Sequence, residues 1–379
     1  MSSMQDRRDI GAENTPQGQA RRLLHVFPSF SYGGQQARLA TLTRELGAGF
    51  RHYIVALDGD LAARSLFDKA VDATFTPFKM KKSSGFSLSN IMRLRRLIAE
   101  AAPDLLCTYN WGSIEAVIAN RLGRQAPHIH FEDGFGPDER IDRQSPKRVR
   151  ARRLILSGSD VVVPSHGLEK GARELWKLKR VHRIENGIDF EKMQSGTRGH
   201  NDGLVVGSLG ALRPEKNYAQ LISAFTVADR EGKARLEIFG GGPEHDRLRA
   251  LAGDNQRISL PGPTAAAADA YARFDVFALS SDTEQAPVSL MEAMAAGLPV
   301  VATNVGDIED MVAEENRAFI TPAGDDDAYA DALAQLLQNP TARAEIGAAN
   351  KRKAKVTFSL ERMAEAHRTL YLSAMERHG

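Results

Sequence analysis

The 379-residue chain is poor in cysteine, with Cys107 alone. An intrachain disulfide is therefore excluded, and with it the disulfide-stapled secreted folds. No apolar run approaches the roughly 18 residues of a membrane helix. The longest uncharged stretch toward the C-terminus, Ala293–Gly306, is interrupted by Gly297 and Pro299. The opening MSSMQDRRDIGAENTPQGQARR has no apolar centre of the kind a secretory signal needs. Residues 1–20 read as a disordered polar tail, and the expected address is cytoplasmic. The histidines form no H-E-x-x-H, and neither G-x-S-x-G nor G-x-x-x-x-G-K-[ST] occurs. Zinc-hydrolase, serine-hydrolase and P-loop readings thus lose their usual signatures. Gly134-Phe135-Gly136 is too short for a dinucleotide fingerprint. Asp325-Asp326-Asp327 follows Pro322-Ala323-Gly324 and opens a helical pattern, so it reads as a helix cap rather than a metal cluster. No metal site and no cofactor are expected.

What is present is ordinary globular chemistry, with 42% apolar and 26% charged residues. At about 150 residues per domain the length gives two to three domains. Net charge is +2, yet residues 1–188 carry 30 Lys and Arg against 20 Asp and Glu, while the remainder carry 20 against 28. A basic half beside an acidic half suggests that the first faces an anionic partner, or that two domains attract across a cleft.

Strand-like and helix-like segments alternate through both halves. Apolar runs at 22–27, 52–57, 71–76, 104–109, 128–131 and 160–163 are separated by helical patterns such as 35–46, 88–101 and 114–122. The rhythm repeats with strands at 204–209, 235–239, 257–260, 276–279, 299–303 and 318–320, and helices at 215–228, 244–252, 265–272, 288–296 and 326–338. Such alternation means α/β architecture with parallel sheets. The polar stretch 193–203 reads as the linker, and 360–375 as a terminal helix packing on the body. The simplest arrangement is two Rossmann-like domains facing each other, with ligands at the carboxyl ends of the strands.

The most informative stretch is SSDTEQAPVSLMEAMAAGLPVVATNVG from Ser280. A loop after a strand carries Glu284, and Pro287 opens a helix holding Glu292. Proline suits a first helical position. The amides of Val288, Ser289 and Leu290 are then expected to point free into the cleft, where a helix N-terminus binds phosphate. Two carboxylates beside a phosphate site make sense if both accept hydrogen bonds from sugar hydroxyls; otherwise they only favour the helix dipole, worth about 0.3–1 kcal/mol. A second turn, Gly210-Ala211-Leu212-Arg213-Pro214-Glu215-Lys216-Asn217, places Arg213 as a planar fork and Lys216 as a point charge before a helix. Gly240-Gly241-Gly242-Pro243 and Gly33-Gly34 follow strands. Gly241, Gly33 and Gly34 are candidates for close ligand approach, against the plainer reading of tight turns.

Together these stretches resemble the GT-B-fold retaining glycosyltransferases of family 4, also called glycosyl transferases group 1. The likeness runs from about Arg22 to Leu372 and is densest from Gly203 to Ile320. Glu284 and Glu292 match the family's E-x7-E motif, and Gly297-Leu298-Pro299-Val300-Val301-Ala302 its continuation. Arg213–Asn217 resembles the diphosphate turn, and Glu185-Asn186-Gly187-Ile188-Asp189 the end of the N-terminal domain. The resemblance implies an N-terminal acceptor domain at 21–192, a donor domain at 203–357 and a C-terminal helix at 358–379. It implies transfer of a sugar from a nucleotide diphosphate sugar to a hydroxyl with retention and without metal. Glu292 would hold ribose hydroxyls, Glu284 sugar hydroxyls near the reacting carbon, and Arg213 and Lys216 the diphosphate. Gly34 would let the first loop approach donor phosphate or acceptor. Pro287, Val288 and Ser289 would line the phosphate site.

Two positions depart from the family pattern. Ala211 stands where an arginine is common, and Asp133 where a histidine is common, in Glu132-Asp133-Gly134-Phe135-Gly136-Pro137-Asp138-Glu139. Asp133 is a candidate to bind a hydroxyl or act as a base. His130 is the nearby alternative, on a strand whose alternation would bury it. These departures keep open a non-catalytic GT-B subunit binding nucleotide sugar or lipid in a polysaccharide assembly; the shared fold also leaves a GT-B sugar-nucleotide epimerase, or a phosphorylase, for which no cofactor lysine motif is evident. Finally, Arg140, Arg143, Lys147, Arg148, Arg150, Arg152 and Arg153 face one acid, Asp142, in the run 140–153. With Lys79, Lys81 and Lys82 they form a candidate surface for acidic lipid, at about 1 kcal/mol per charge, or a solvated helix face. A sugar or lipid-linked acceptor at the inner face of a membrane is the matching expectation. Nucleic acid is not expected, because aromatics do not interleave with the charges.

Overall fold

Strands buried on both faces need long apolar runs, and the central strands of this chain have them: LLCTY, VFAL and VVAT are buried at every residue. In the computed structural model, which describes residues 20–81, 85–124, 126–134, 144–197 and 203–377, such runs build two parallel sheets. The expected tail at 1–20 lies outside the described residues except for Ala20, as do Lys82, Arg140 and Arg143 of the basic positions. The first sheet is built from β1 (Arg21–Phe27), α1 (Gly34–Leu46), β2 (Phe50–Ala56), β3 (Ala73–Pro77), α2 (Leu88–Ala101), β4 (Leu105–Tyr109), α3 (Ile114–Gly123), β5 (His128–Phe131), α4 (Pro146–Ile155), β6 (Asp160–Val163), α5 (His166–Glu174) and β7 (Val181–Arg183). Its order is β3-β2-β1-β4-β5-β6-β7. After α6 (Phe190–Gln194), the second is built from β8 (Leu204–Leu209), α7 (Tyr218–Ala228), β9 (Ala234–Phe239), α8 (His245–Ala252), β10 (Ile258–Gly262), α9 (Ala267–Arg273), β11 (Val276–Leu279), α10 (Val288–Ala295), β12 (Val300–Thr303), α11 (Ile308–Met311) and β13 (Ile320–Thr321). Its order is β10-β9-β8-β11-β12-β13. The chain closes with α12 (Asp326–Gln338), α13 (Pro340–Thr357) and α14 (Leu360–Glu376).

Strand order reverses between β1 and β4 in the first sheet and between β8 and β11 in the second. Loops leaving neighbouring strands in opposite directions open a crevice there, where ligands of open α/β sheets bind. The two crevices position the sites described below.

The chain passes between the sheets twice, and the two passes touch. The Ile188 N–H donates to Phe358 O (2.9 Å), and Ile188 bridges Ser359. α14 then returns to the first sheet, burying Leu360, Met363, Leu370 and Tyr371 against Leu39, Leu42, Leu46 and Phe50. Asp325 caps α12, accepting from the Ala328 N–H at 3.0 Å, as its spacing predicts. α13 was not legible as a helix, because its buried face is built of small and polar residues. Gly347 packs so closely on Gly297 that a Cβ would lie 2.1 Å from the Gly297 carbonyl oxygen. Asn350 donates to Leu298 O (2.9 Å) and Asn316 Oδ1 (2.7 Å) and accepts from the Ala313 N–H. Among the described residues no helix is long and apolar enough to cross a membrane.

Arg152 corrects the expected basic surface. Its side chain is buried, with the guanidinium 5.1 Å from the Trp111 ring and 4.9 Å from the Trp176 ring. Its Nε lies 3.6 Å from Glu132. α4 is thus amphipathic in charge: Lys147, Arg150 and Arg153 face solvent and Arg152 faces the core.

Candidate active site

At the crevice of the second sheet, the loops after β8 and β11 are laced together. The Asp282 N–H donates to Glu215 O (2.9 Å), Asn217 Nδ2 to Asp282 Oδ1 (2.9 Å), and Ser280 Oγ to Lys216 O (3.0 Å). Asn217 adopts a left-handed conformation (φ 44°), which asparagine tolerates. These bonds bring Lys216 Nζ onto Glu284 Oε1, with Ser281 Oγ donating to the same oxygen at 2.8 Å. The pair is largely enclosed, at 21% and 11% side-chain exposure. Glu284 Oε2 has no partner among the described residues and remains free to accept a hydroxyl.

α10 begins at Val288, with Pro287 at the cap rather than at the first helical position. The Leu290 N–H, expected to be free, donates back to Pro287 O (3.2 Å). The first turn is tightened, so the amides left without an acceptor among the described residues are those of Val288 and Ser289. Eight residues after Glu284, Glu292 accepts from Tyr271 OH at 2.9 Å. Burial pushes the Glu292 carboxyl above its usual range, against the opposing effect of that hydrogen bond. Lys216, Glu284 and the start of α10 therefore meet at the crevice, with Glu292 further along α10 and held by Tyr271 of α9. Arg213 is placed differently. Its side chain is 58% exposed, 4.0 Å from Glu215. It lines a depression with Asn217, Glu244 and Arg247 and makes no hydrogen bond within the Lys216–Glu284 network.

The glycine turn after β9 follows the plainer reading. A Cβ at Gly240 would lie 1.8 Å from Gly210 O, and one at Gly242 2.4 Å from Leu212 O. These glycines let two turns of the protein approach each other, while Gly241 is exposed and has only ordinary contacts.

At the crevice of the first sheet, Gly33 caps α1 and Gly34 begins it, and a Cβ at Gly34 would meet nothing within 4 Å. One turn on, Arg38 grips Asp133 with both arms, at 2.8 and 2.6 Å, and also donates to Asn186 Oδ1 at 2.7 Å. Burial works against the Arg38 charge, but Asp133 outweighs it and holds the guanidinium pKa above its ordinary value. The Asp133 N–H donates to Asn110 Oδ1 (2.9 Å). Both Asp133 oxygens are thus engaged, which suits an anchor better than a base. His130 is fully buried, bonded to Thr108 at 2.8 Å, and does not reach the crevice. Arg38, Asn110 and Asn186 were missed from sequence. The usable signal was an arginine one turn past a glycine loop at the crevice, and an unexplained carboxylate at the end of β5.

Residues 32–192 match the model described as Glycosyltransferase Family 4, and residues 189–353 that of Glycosyl transferases group 1. The chain belongs to this glycosyltransferase family. It is 24% identical over 289 residues to N-acetyl-alpha-D-glucosaminyl L-malate synthase of Bacillus anthracis, covering 73% of both chains. It is 28% identical over 323 residues to D-inositol 3-phosphate glycosyltransferase of Saccharomonospora viridis, covering 76% of this chain and 74% of that one. The fold matches Anabaena Alr3699/HepE, solved in complex with UDP, at TM-score 0.78 and 19% identity over 93% of this chain and 100% of that one. It matches the sucrose-phosphate synthase of Thermosynechococcus elongatus at TM-score 0.78 and 18% identity, covering 94% and 100%. The two facing Rossmann-like domains with a terminal helix are the GT-B fold, and the protein is a glycosyltransferase.

Proposed function

We propose that this glycosyltransferase moves a sugar from a nucleotide diphosphate sugar to a hydroxyl acceptor, with retention at the anomeric carbon and without a metal ion. The observation that carries the reading is the Lys216–Glu284 pair beside the α10 N-terminus at the β8/β11 crevice, with Glu292 further along the same helix. Glu292 accepts the ribose hydroxyls and Glu284 the sugar hydroxyls. The Val288 and Ser289 amides and the Lys216 ammonium neutralise the departing diphosphate, work a divalent ion does elsewhere. The UDP and UDP-glucose bound by Anabaena Alr3699/HepE support a nucleotide sugar as donor. Attack comes from the face the diphosphate leaves, and its oxygen takes the acceptor proton, so no protein nucleophile is needed. Asp133 orients Arg38 at the acceptor side, where the Gly33-Gly34 turn leaves room.

The acceptor is a sugar or lipid-linked hydroxyl in polysaccharide or glycolipid assembly, met at an anionic membrane surface. In support, the layer of α2, α3 and α4 turns Arg93, Arg96, Arg121, Arg124, Arg150 and Arg153 to solvent. Among them are exposed Leu88 (71%), Leu122 (60%) and Leu154 (74%). A broad cationic face with scattered apolar tips fits a flat acidic bilayer.

The test is stereochemical. In a reaction containing EDTA and an α-linked nucleotide diphosphate sugar, proton NMR should show the sugar first transferred in the α configuration. A β product would overturn the front-face mechanism, and interconversion of the donor without transfer would favour the epimerase reading.

A further inference from the structure

The loop that carries Glu284 is held from the opposite domain. We infer that Asp307 is an interdomain positioning residue, which couples the approach of the two domains to the placement of Glu284. This rests on the donor-site reading above. α5 of the first domain needs acceptors for its leading N–H groups. The side chain of Ser165, its cap, takes the Leu168 N–H at 3.2 Å, and its carbonyl takes the Glu169 N–H. The other two come from across the cleft: the His166 and Gly167 N–H groups donate to Asp307 Oδ2 (2.5 Å) and Oδ1 (3.3 Å). A carboxylate there also meets the positive end of the helix.

Asp307 is at the same time tied to the donor loop. Its own N–H donates to Gln285 O at 3.0 Å. The preceding Gly306, at φ 61°, lies so close to that loop that a Cβ would be 2.4 Å from Glu284 O. Two further bonds cross between domains onto the next residues. Ser165 Oγ donates to Gln285 Oε1 (3.3 Å), and Asn186 Nδ2 to Ala286 O (3.4 Å). Asn186 is itself held by Arg38, the partner of Asp133. The first-domain anchor, α5 and the Glu284 loop thus form one hydrogen-bonded chain, in which Asp307 is a charged link between the domains.

This contact is separate from the hinge. A small cavity of about 50 Å³, bordered by Glu185, Met291, Asp310 and Met311, lies between Asp307 and the crossing at Phe358. Separation of the domains would therefore uncap α5 and loosen the Glu284 loop without unfolding either sheet. Donor nucleotide contacts at Lys216 and Glu292 carry no bond to Asp307. Its loss should therefore act on turnover rather than on nucleotide affinity.

The experiment uses the full chain and Asp307→Ala, with Asp307→Asn as the milder variant that keeps one acceptor. Amide hydrogen exchange is measured at the start of α5 and in residues 284–286, alongside nucleoside diphosphate affinity and steady-state kinetics. The expected result is faster exchange in both segments, unchanged nucleotide affinity, and kcat lower by about 10–100-fold with little change in donor KM. Asp307→Asn should show part of each effect. Unchanged exchange in both segments would overturn the contact. Faster exchange at α5 with an unchanged Glu284 segment, or with normal kcat, would overturn the positioning role. If the unaltered chain transfers no sugar, the donor-site reading fails, while the exchange data still decide whether Asp307 links α5 to the loop.

Discussion

Glu284→Gln removes the charge on which the donor site turns while nearly preserving shape. In the native chain Glu284 Oε1 is shared by the Lys216 ammonium and Ser281 Oγ, and Oε2 is left for the donor sugar. A glutamine keeps one acceptor and places an NH₂ at the other position, where a hydroxyl or the Lys216 ammonium would otherwise be met. If the carboxylate stabilises charge developing at the reacting sugar, its loss should lower kcat by about 10²–10³-fold, or about 2.7–4 kcal/mol. Stability should change less. The pair is partly enclosed, so leaving Lys216 without its counter-ion costs about 1–3 kcal/mol, or a few degrees in Tm for a domain of this size. Binding of the nucleoside diphosphate should move the other way, equal or tighter, because Lys216 no longer divides its charge between Glu284 and phosphate. The assay is initial-rate transfer or slow donor hydrolysis, paired with thermal shift by nucleoside diphosphate. A folded variant with turnover within about threefold of the native value, less than 1 kcal/mol in barrier, would refute the assignment.

Lys216→Ala should weaken nucleoside diphosphate binding by at least about tenfold, the scale of one charge-assisted contact; calorimetric titration reads it, and an unchanged Kd removes Lys216 from the diphosphate site. Acid should destabilise the fold through its buried histidines. Burial lowers His52 and His367 to about 4, below the unfolded value near 6.5. Each therefore favours the native state fully above pH 6.5, and that contribution fades as pH falls toward 4, by at most about 3 kcal/mol each. Denaturant midpoints between pH 7 and 4 check this, and an unaltered slope in His367→Gln would argue against its share. Vesicles containing acidic lipid should retain the protein in a salt-sensitive manner, and Arg96→Glu with Arg150→Glu should release it. Equal retention by neutral vesicles would exclude the α2–α4 face as an electrostatic dock.

The second half of the molecule was the more legible in sequence, because its chemistry sits in consecutive residues. Glu284 and Glu292 share one loop and helix, and the 213–217 turn precedes its helix directly, so local spacing carried the information. The first half is assembled across the chain. Arg38 meets Asp133 over 95 positions and Asn186 over 148, and no local pattern announces such a meeting. Asp133, a candidate to bind a hydroxyl or act as a base, was found only because it stood where another residue was expected, and the Arg38 that engages both its oxygens was not foreseen. Arg152 shows the opposite failure. Charge alone placed it on the surface, whereas the rings of Trp111 and Trp176 and the carboxylate of Glu132 hold it inside. α13 escaped because glycine, alanine and asparagine make its contacts, leaving no apolar stripe to read. The helix at Val288 was legible, but its first turn was not: the Leu290 amide, expected to be free, bonds back to Pro287 O.

The most direct test is a donor screen on the purified chain with EDTA present. Uridine, guanosine and adenosine diphosphate sugars would be compared by thermal shift and by release of nucleoside diphosphate. One donor should both raise Tm and be slowly hydrolysed, with both responses lost or sharply reduced when Glu292 and Lys216 are replaced by alanine together. Stabilisation and hydrolysis that survive the double replacement, or no response to any donor, would contradict a nucleotide-sugar site at the β8/β11 crevice.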